Sequence, residues 1–461
     1  MTATLLKCLC GLALATAAVP ALAAAPAMNT AGVVIPTGLR IALAHSLSAR
    51  SGVPHAPADI GWTEQEVLSS DGAAGDVFGY SVAIDGDTAL VGAAQGANGD
   101  GGSDDGLPGA VYVFHRTATG WVEVQKLTPD DGVDNDQFGY SVALEGATAL
   151  VGVPFATVDD NAGRGAVYVF TLEGDTWSQS QKLVADDGAM SDQLGWSVAL
   201  DGDTALLGAP GAADGGDFAT GAAYVFVRSG GDFAQSAKLT ADDGVGADDF
   251  GFGVAIKGST AILTSANSSG GVGSGYVFTF DGTTWTQASK LLADDGTGTD
   301  TLGYSVAFDG TTALLGAPFA TVGANPFQGA VYAFQANPDR TWSQTQKIVA
   351  SEGLPFDAFG ISTTVSGDDL LVTAPFYNGG QGEAFLFSNA AGGDFVEDHV
   401  FTASDAGDNP GQGFGYSGAI SEGTALIGSV FNAPGGNVHQ GAAYFYTPSL
   451  PDAIFGDGFD G

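Results

Sequence analysis

The chain has 461 residues, with 13 Lys+Arg against 52 Asp+Glu and a formal net charge of −39. A field of that sign repels nucleic acid and anionic lipid, and suits cations, basic partners or plain solubility. Hydrophobic residues make up 44% of the chain and glycine contributes 72 residues, which describes a turn-rich β protein and excludes a disordered one.

The N-terminus reads as a secretory signal peptide over residues 1–23. Lys7 supplies the positive start, Cys8 to Val19 the apolar core, and Ala21-Leu22-Ala23 the small-x-small cleavage pattern. Cys8 and Cys10 are the only cysteines, so the exported chain has no disulfide and no thiol chemistry. No later segment approaches the roughly 20 apolar residues of a membrane span. Residues 24–60 match nothing else in the chain and read as a flexible leader.

From Phe78 onward one pattern recurs seven times: an aromatic residue or Leu, then Gly, then a short alternating segment. The anchors are Phe78-Gly79, Phe138-Gly139, Leu194-Gly195, Phe250-Gly251, Leu302-Gly303, Phe359-Gly360 and Phe414-Gly415, at spacings of 60, 56, 56, 52, 57 and 55 residues. A period of that size marks an array of supersecondary units. In the second copy, Gln137 to Leu144 alternates large with small side chains, as a strand buried on both faces would. A tight turn at Glu145-Gly146 leads to a strand over Thr148–Val153, ended by Pro154. A variable loop, Phe155 to Gly165, precedes an apolar strand, Ala166–Phe170. The half-polar Trp177–Leu183 closes the unit. Four antiparallel strands that grow more polar outward make one propeller blade, inner strand first.

Phe-Gly-Tyr-Ser-Val-Ala, followed by the Gly-Asp-Thr-Ala-Leu-Leu-Gly-Ala-Pro of residues 202–210, resembles the FG-GAP repeat of integrin α subunits, in its bacterial exported branch. The resemblance implies a seven-bladed β-propeller spanning residues 61–447. Outer-strand segments begin at Trp62, Trp121, Trp177, Asp232, Trp285, Trp342 and Asp394, whereas the seventh repeat has none after Tyr446. The segment Trp62–Leu68 is therefore expected to complete the last blade and close the ring. Residues 448–461 form a tail outside it.

Each anchor follows an acidic linker, in full form as Asp130-Asp131-Gly132 with Asp136, Asp186-Asp187-Gly188 with Asp192, Asp242-Asp243-Gly244 with Asp248, and Asp294-Asp295-Gly296 with Asp300. Shorter forms are Asp71-Gly72 with Asp76 and Glu352-Gly353 with Asp357, and the seventh, Asp405 with Asp408, is irregular. Asp-Gly is a turn signal by itself, and a structural turn is the preferred reading. The alternative is a Ca²⁺ site, since clustered carboxylates are what that cation requires. The metal loop of the integrin relatives lies in the hairpin between the first two strands; here it is shortened to Asp85-Gly86-Asp87 or Asp201-Gly202-Asp203, so those ligands do not carry over.

In a four-stranded meander the linkers share a face with the loops between the second and third strands. That face should be acidic and carry the ligand, with Gln95–Pro108 and the loop holding Asp159 and Asp160 on it. Phe155, Phe319, Phe376 and Phe431 stand at one equivalent loop position. Exposed together they would form a sugar or protein contact patch; capping the loops from below is the plainer role. The six tryptophans read as blade packing. The histidines have no metal spacing, the inner-strand serines occupy no sharp nucleophile turn, and His439 alone is an acid/base candidate.

These features point to an exported, noncatalytic and monomeric binding module for a protein or glycan. The alternatives are a polysaccharide hydrolase or lyase on the same ring, and a structural component of an extracellular matrix or surface layer.

Overall fold

The computed structural model describes residues 61–94, 108–213, 218–389, 393–407 and 411–449. The signal-peptide and leader readings, most of the loop Gln95–Pro108 and nearly all of the C-terminal tail lie outside them.

Seven four-stranded antiparallel sheets form the blades. The second blade shows why. Its inner strand Ser141–Glu145 turns at Gly146, where φ is +54°, into Thr148–Val153. The loop then returns the chain to Ala166–Glu173 and the outer strand Thr176–Leu183. The outer strand alternates exposed with half-buried residues, as its position at the perimeter requires.

The expected strand beginning at Gln137 starts only at Ser141. Gln137 has φ +62° and Gly139 φ +89°, and Tyr140 N–H closes a turn onto the Gln137 carbonyl at 3.1 Å. The anchor is thus a turn between blades. Phe138 bridges in parallel to Gly109 of the preceding blade. A Cβ on Gly139 would lie 2.7 Å from the Ala110 carbonyl oxygen, so both the positive φ and the close approach demand glycine.

The core lies between blades. Leu90, Val111 and Val113 of blade one pack with Phe138, Val151, Tyr168 and Phe170 of blade two, and the pattern repeats around the ring. The inner-strand serines are also inter-blade ties: Ser141 Oγ donates to the Gly195 carbonyl at 2.8 Å, and Ser417 Oγ to that of Gly79 at 2.8 Å.

The ring closes as expected. Trp62–Val67 pairs antiparallel with the last strand, Ala442–Pro448, from Trp62↔Pro448 to Val67↔Ala443. The equivalent pairing in the other six blades shifts register midway, for example between Val169 and Phe170. The N-terminal strand pairs without that bulge. Trp121 of blade one stacks on Phe445 of blade seven, with centroids 4.2 Å apart and planes at 6°, which packs the seam from the other side.

Candidate functional site

The two faces of the ring differ. On one, the short Asp-Gly and Glu-Gly turns are latched to each other. Gly146 N–H donates to Asp85 at 2.6 Å, Gly202 N–H to Glu145 at 2.5 Å, and Gly258 N–H to Asp201 at 2.6 Å. The sequence reads these acids as members of tight turns, and the structure adds that they are inter-blade acceptors.

On the other face the linkers lie against the long loops, as the meander geometry requires. Leu194 N–H bonds to the Arg164 carbonyl at 3.1 Å, Asp249 N–H to that of Ala219 at 3.1 Å, and Val77 N–H to that of His439 at 3.0 Å.

Within each acidic linker the three carboxylates have separate tasks. The first, as in Asp130, Asp186, Asp242 and Asp294, is exposed, and its backbone N–H donates to a Gln of the following outer strand at 3.0 Å. The second is tied to its blade. Asp131 accepts from Tyr168 Oη at 2.6 Å and from Lys182 Nζ at 2.7 Å, while that ammonium lies 5.0 Å from the tyrosine ring centroid. Asp187 with Tyr224 and Lys238, and Asp295 with Tyr332 and Lys347, repeat the arrangement. Asp243 pairs with Lys290, which stands over Tyr276.

The third carboxylate is buried. Asp136, Asp192, Asp248 and Asp300 each accept the backbone N–H three residues upstream, at 2.7–3.0 Å. Burial pushes the Asp136 and Asp192 carboxyls above the usual range. Among the described residues, no three His, Cys, Asp or Glu side chains gather into a group able to hold a metal ion. The linker geometry is that of a tie.

At the centre, the residue after each anchor glycine builds a ring of side chains. Tyr416–Tyr80–Tyr140–Trp196–Phe252–Tyr304 run from blade to blade with neighbouring centroids 4.8–5.6 Å apart. Ile361 takes the remaining place. Seven positions at that spacing close a circle of about 6 Å radius, the lining of a propeller's central channel. Trp196 therefore lines the axis and does not pack within a blade. The signal was present in sequence as an aromatic after six of the seven anchors.

Three of the four loop phenylalanines pack edge-on against this annulus: Phe155 on Tyr140 at 5.9 Å, Phe319 on Tyr304 at 6.1 Å and Phe431 on Tyr416 at 6.3 Å. All three are half-buried, so one ring edge caps the annulus while part of the surface faces solvent. Phe376, also half-buried, precedes the helical turn Tyr377–Gly380 in the blade that carries Ile361. Phe155, Phe319 and Phe431 are thus brought to one mouth through the annulus.

The chain matches the model of the FG-GAP repeat over residues 62–114, 121–170, 177–226, 233–280, 285–334 and 342–387. It belongs to the FG-GAP repeat family. Each matched FG-GAP unit starts on one blade's outer strand and ends on the next blade's third strand. The seventh unit, which carries the irregular linker with Asp405, is recognised from its sheet. No curated protein matches the chain at a significant level. The FG-GAP propeller is an interaction fold typical of extracellular proteins. No described helix is long and apolar enough to cross a membrane.

The remaining candidates fall on the loop face of the FG-GAP ring. Asp159 forms an ion pair with Arg164 at 2.6 Å, and Arg164 also donates to the Ala185 carbonyl at 2.7 Å, locking loop to linker. Asp160 is exposed beside it, with φ +63°. His439 packs against Phe431 at 5.4 Å, and burial lowers its imidazole below the ordinary range. Exposed Val133, Met190, Phe218 and Val245 also stand on this rim, on the linkers and a loop of blades two to four. Val133 and Val245 hold one equivalent place after Asp-Asp-Gly, which carries Ala189 and Thr297 in the sister linkers, so repeat position alone does not mark them as exposed apolar residues.

Proposed function

We propose that this FG-GAP protein is an exported, noncatalytic binding module that takes a protein or glycan on the loop face of its propeller. The observation that carries this reading is the asymmetry of the two faces. One is closed by short turns latched glycine to carboxylate. The other gathers the long loops, the exposed linker acids and the half-buried aromatics around the channel mouth. Aromatic surface beside exposed polar groups is the ordinary make-up of a recognition site. The signal-peptide pattern at the N-terminus supports export.

The test compares the faces. Phe155→Ala, Asp160→Lys and Phe431→Ala alter the loop face; Glu145→Gln and Asp309→Asn alter the turn face. Binding is measured for each variant on a glycan array and against extracellular proteins. Loss confined to the loop-face variants supports the reading. Loss confined to the turn-face variants, or turnover of a bound glycan, overturns it.

A further inference from the structure

The loop of blade five and the linker of blade six depart together from their sister copies. The loop residues 319–332 repeat residues 155–168 of blade two except at five positions. Asp159, Asp160 and Arg164 give way to Gly323, Ala324 and Gln328, so all three charges are gone. Ala162-Gly163 becomes Pro326-Phe327, while both loops keep the same bridge, Val158↔Asn161 and Val322↔Asn325. In the linker that faces this loop, Asp134-Asn135 of blade two becomes Pro355-Phe356 in blade six.

Both phenylalanines sit in left-handed backbone, Phe327 at φ +55° and Phe356 at φ +71°. Bulky side chains are disfavoured there. Sister positions hold smaller residues, such as Gly163 and Ala219 for the first and Asn135 and Ser191 for the second. Asp357 N–H closes the linker turn onto the Leu354 carbonyl at 3.4 Å, with Phe356 at the corner that Gly or Asn ordinarily fills. The fold itself asks for a ring at neither place.

The two segments are joined and their rings meet. Phe356 N–H bonds to the Pro326 carbonyl at 3.0 Å, and Ala358 N–H to that of Phe327 at 3.1 Å. From Tyr304 of the annulus the centroids step to Phe319 at 6.1 Å, to Phe327 at 6.0 Å and to Phe356 at 5.6 Å. The three phenylalanines are half-buried, as are Pro326, Leu354 and Pro355. An aromatic row therefore leads outward from the channel mouth. Within residues 319–328 and 351–358, the one exposed charge is Glu352.

We propose that this row docks a proline-rich segment of a partner protein in the polyproline II conformation, an inference that rests on the binding-module reading above. Such a segment advances about 3.1 Å per residue, so alternate residues stand about 6 Å apart, the spacing of the rings. Aromatic-lined grooves receive it through apolar ring contacts and need no open strand edge. Its uncharged side chains suit a sector stripped of charge in a chain whose net charge is −39.

A glycan is the poorer match. Its hydroxyls call for polar partners placed to receive them. In this sector the side-chain amides are bonded within the protein: Asn325 donates to Gln328 at 3.0 Å and to the Gly353 carbonyl at 3.1 Å, and Asn378 to Gln381.

The experiment is titration calorimetry of the purified protein with three probes: decaproline, a Gly-Ser decamer and a neutral glucose tetramer. Decaproline is expected to bind at least about tenfold tighter than the other two. Phe327→Ala and Phe356→Asn, which restore residues found in sister blades, should each weaken it about tenfold. Both variants should melt within about 2 °C of the parent, because relief of the left-handed backbone offsets the lost ring contact. Phe356→Tyr keeps the ring and should keep the binding, which separates loss of the site from loss of the fold. Decaproline binding undiminished by Phe327→Ala and Phe356→Asn overturns the inference and makes the rings packing residues. So does equal binding of the Gly-Ser decamer or the glucose tetramer, or no binding of decaproline. Should the protein ignore proline peptides yet hold another ligand through the loop face, this inference fails and the binding-module reading stands.

Discussion

Ser404 and Glu64 lie 340 residues apart and make the contact that fastens a linker to the next outer strand. Ser404 Oγ donates to Glu64 at 2.6 Å and its backbone N–H lies 3.2 Å from the same carboxylate. Ser70 with Glu123 and Ser351 with Glu397 repeat it. The four linkers that begin with Asp face Gln instead. Serine with glutamate and aspartate with glutamine are the two compatible pairs, because aspartate with glutamate would set two carboxylates together.

Exchange of the pair at the seam tests this rule. Ser404→Asp alone should lose about 1 kcal/mol, and Ser404→Asp with Glu64→Gln should recover most of it. Urea unfolding of the two single variants and the double variant gives the coupling. Simple additivity would show that the two positions are independent.

Glu66 occupies the place of Lys182 in the closing strand: it pairs with Tyr444 as Lys182 pairs with Tyr168. Burial, then Asp405 and Glu64, raise its carboxyl above the ordinary value. Its folded form therefore favours the proton, and stability falls as pH climbs from about 4.5 through the higher folded value. Glu66→Lys should stabilise the ring by about 1 kcal/mol at pH 7.5, or about 2 °C in Tm, and flatten that pH dependence. Scanning calorimetry at pH 5 and 7.5 checks both effects.

The Asp–Lys ties predict the opposite sign in acid. Lys126 and the Tyr112 hydroxyl hold Asp71 below the usual carboxylate range. A depressed folded value contributes stability above the unfolded value, and that contribution is lost as pH falls through the folded one. Lys126→Met should cost about 0.5 kcal/mol at pH 7, modest because the pair is partly exposed, and nothing by about pH 2. Denaturant melts at the two pH values measure the difference.

Gly195 has φ +89°, and a Cβ there would stand 2.6 Å from the Ala166 carbonyl oxygen. Gly195→Ala should cost about 3 kcal/mol or more, whereas Gly174→Ala, where nothing lies within 4 Å, should cost about 1 kcal/mol. Comparable losses at both sites would remove the close-approach argument.

Because the second and third carboxylates of each full linker are taken up by Lys, Tyr and backbone N–H groups, leaving one exposed carboxylate of the three, millimolar Ca²⁺ should leave Tm within about 1 °C of its value in EGTA. A clear upward shift in thermal melts would reassign the Asp-Asp-Gly linkers as cation sites.

The amino-acid sequence by itself determined the seven blades, the closing strand at Trp62 and the face on which linkers and loops meet. Each follows from local patterns, alternation, turn glycines and repeat spacing, that hold wherever the copy lies in the ring. The same patterns placed the strand start at Gln137, four residues before Ser141 and at the head of what is a turn, because large-small alternation does not register the positive φ of Gln137 and Gly139. Only the tertiary structure decided what the repeated charges do. Asp131 meets Lys182 from 51 residues away, and Asp85 meets Gly146 from 61 residues away. Trp196 joins five other aromatics around an axis that exists only when all seven blades are assembled. Blade symmetry is written in each copy, whereas the aromatic annulus exists only once the seven copies close on one another.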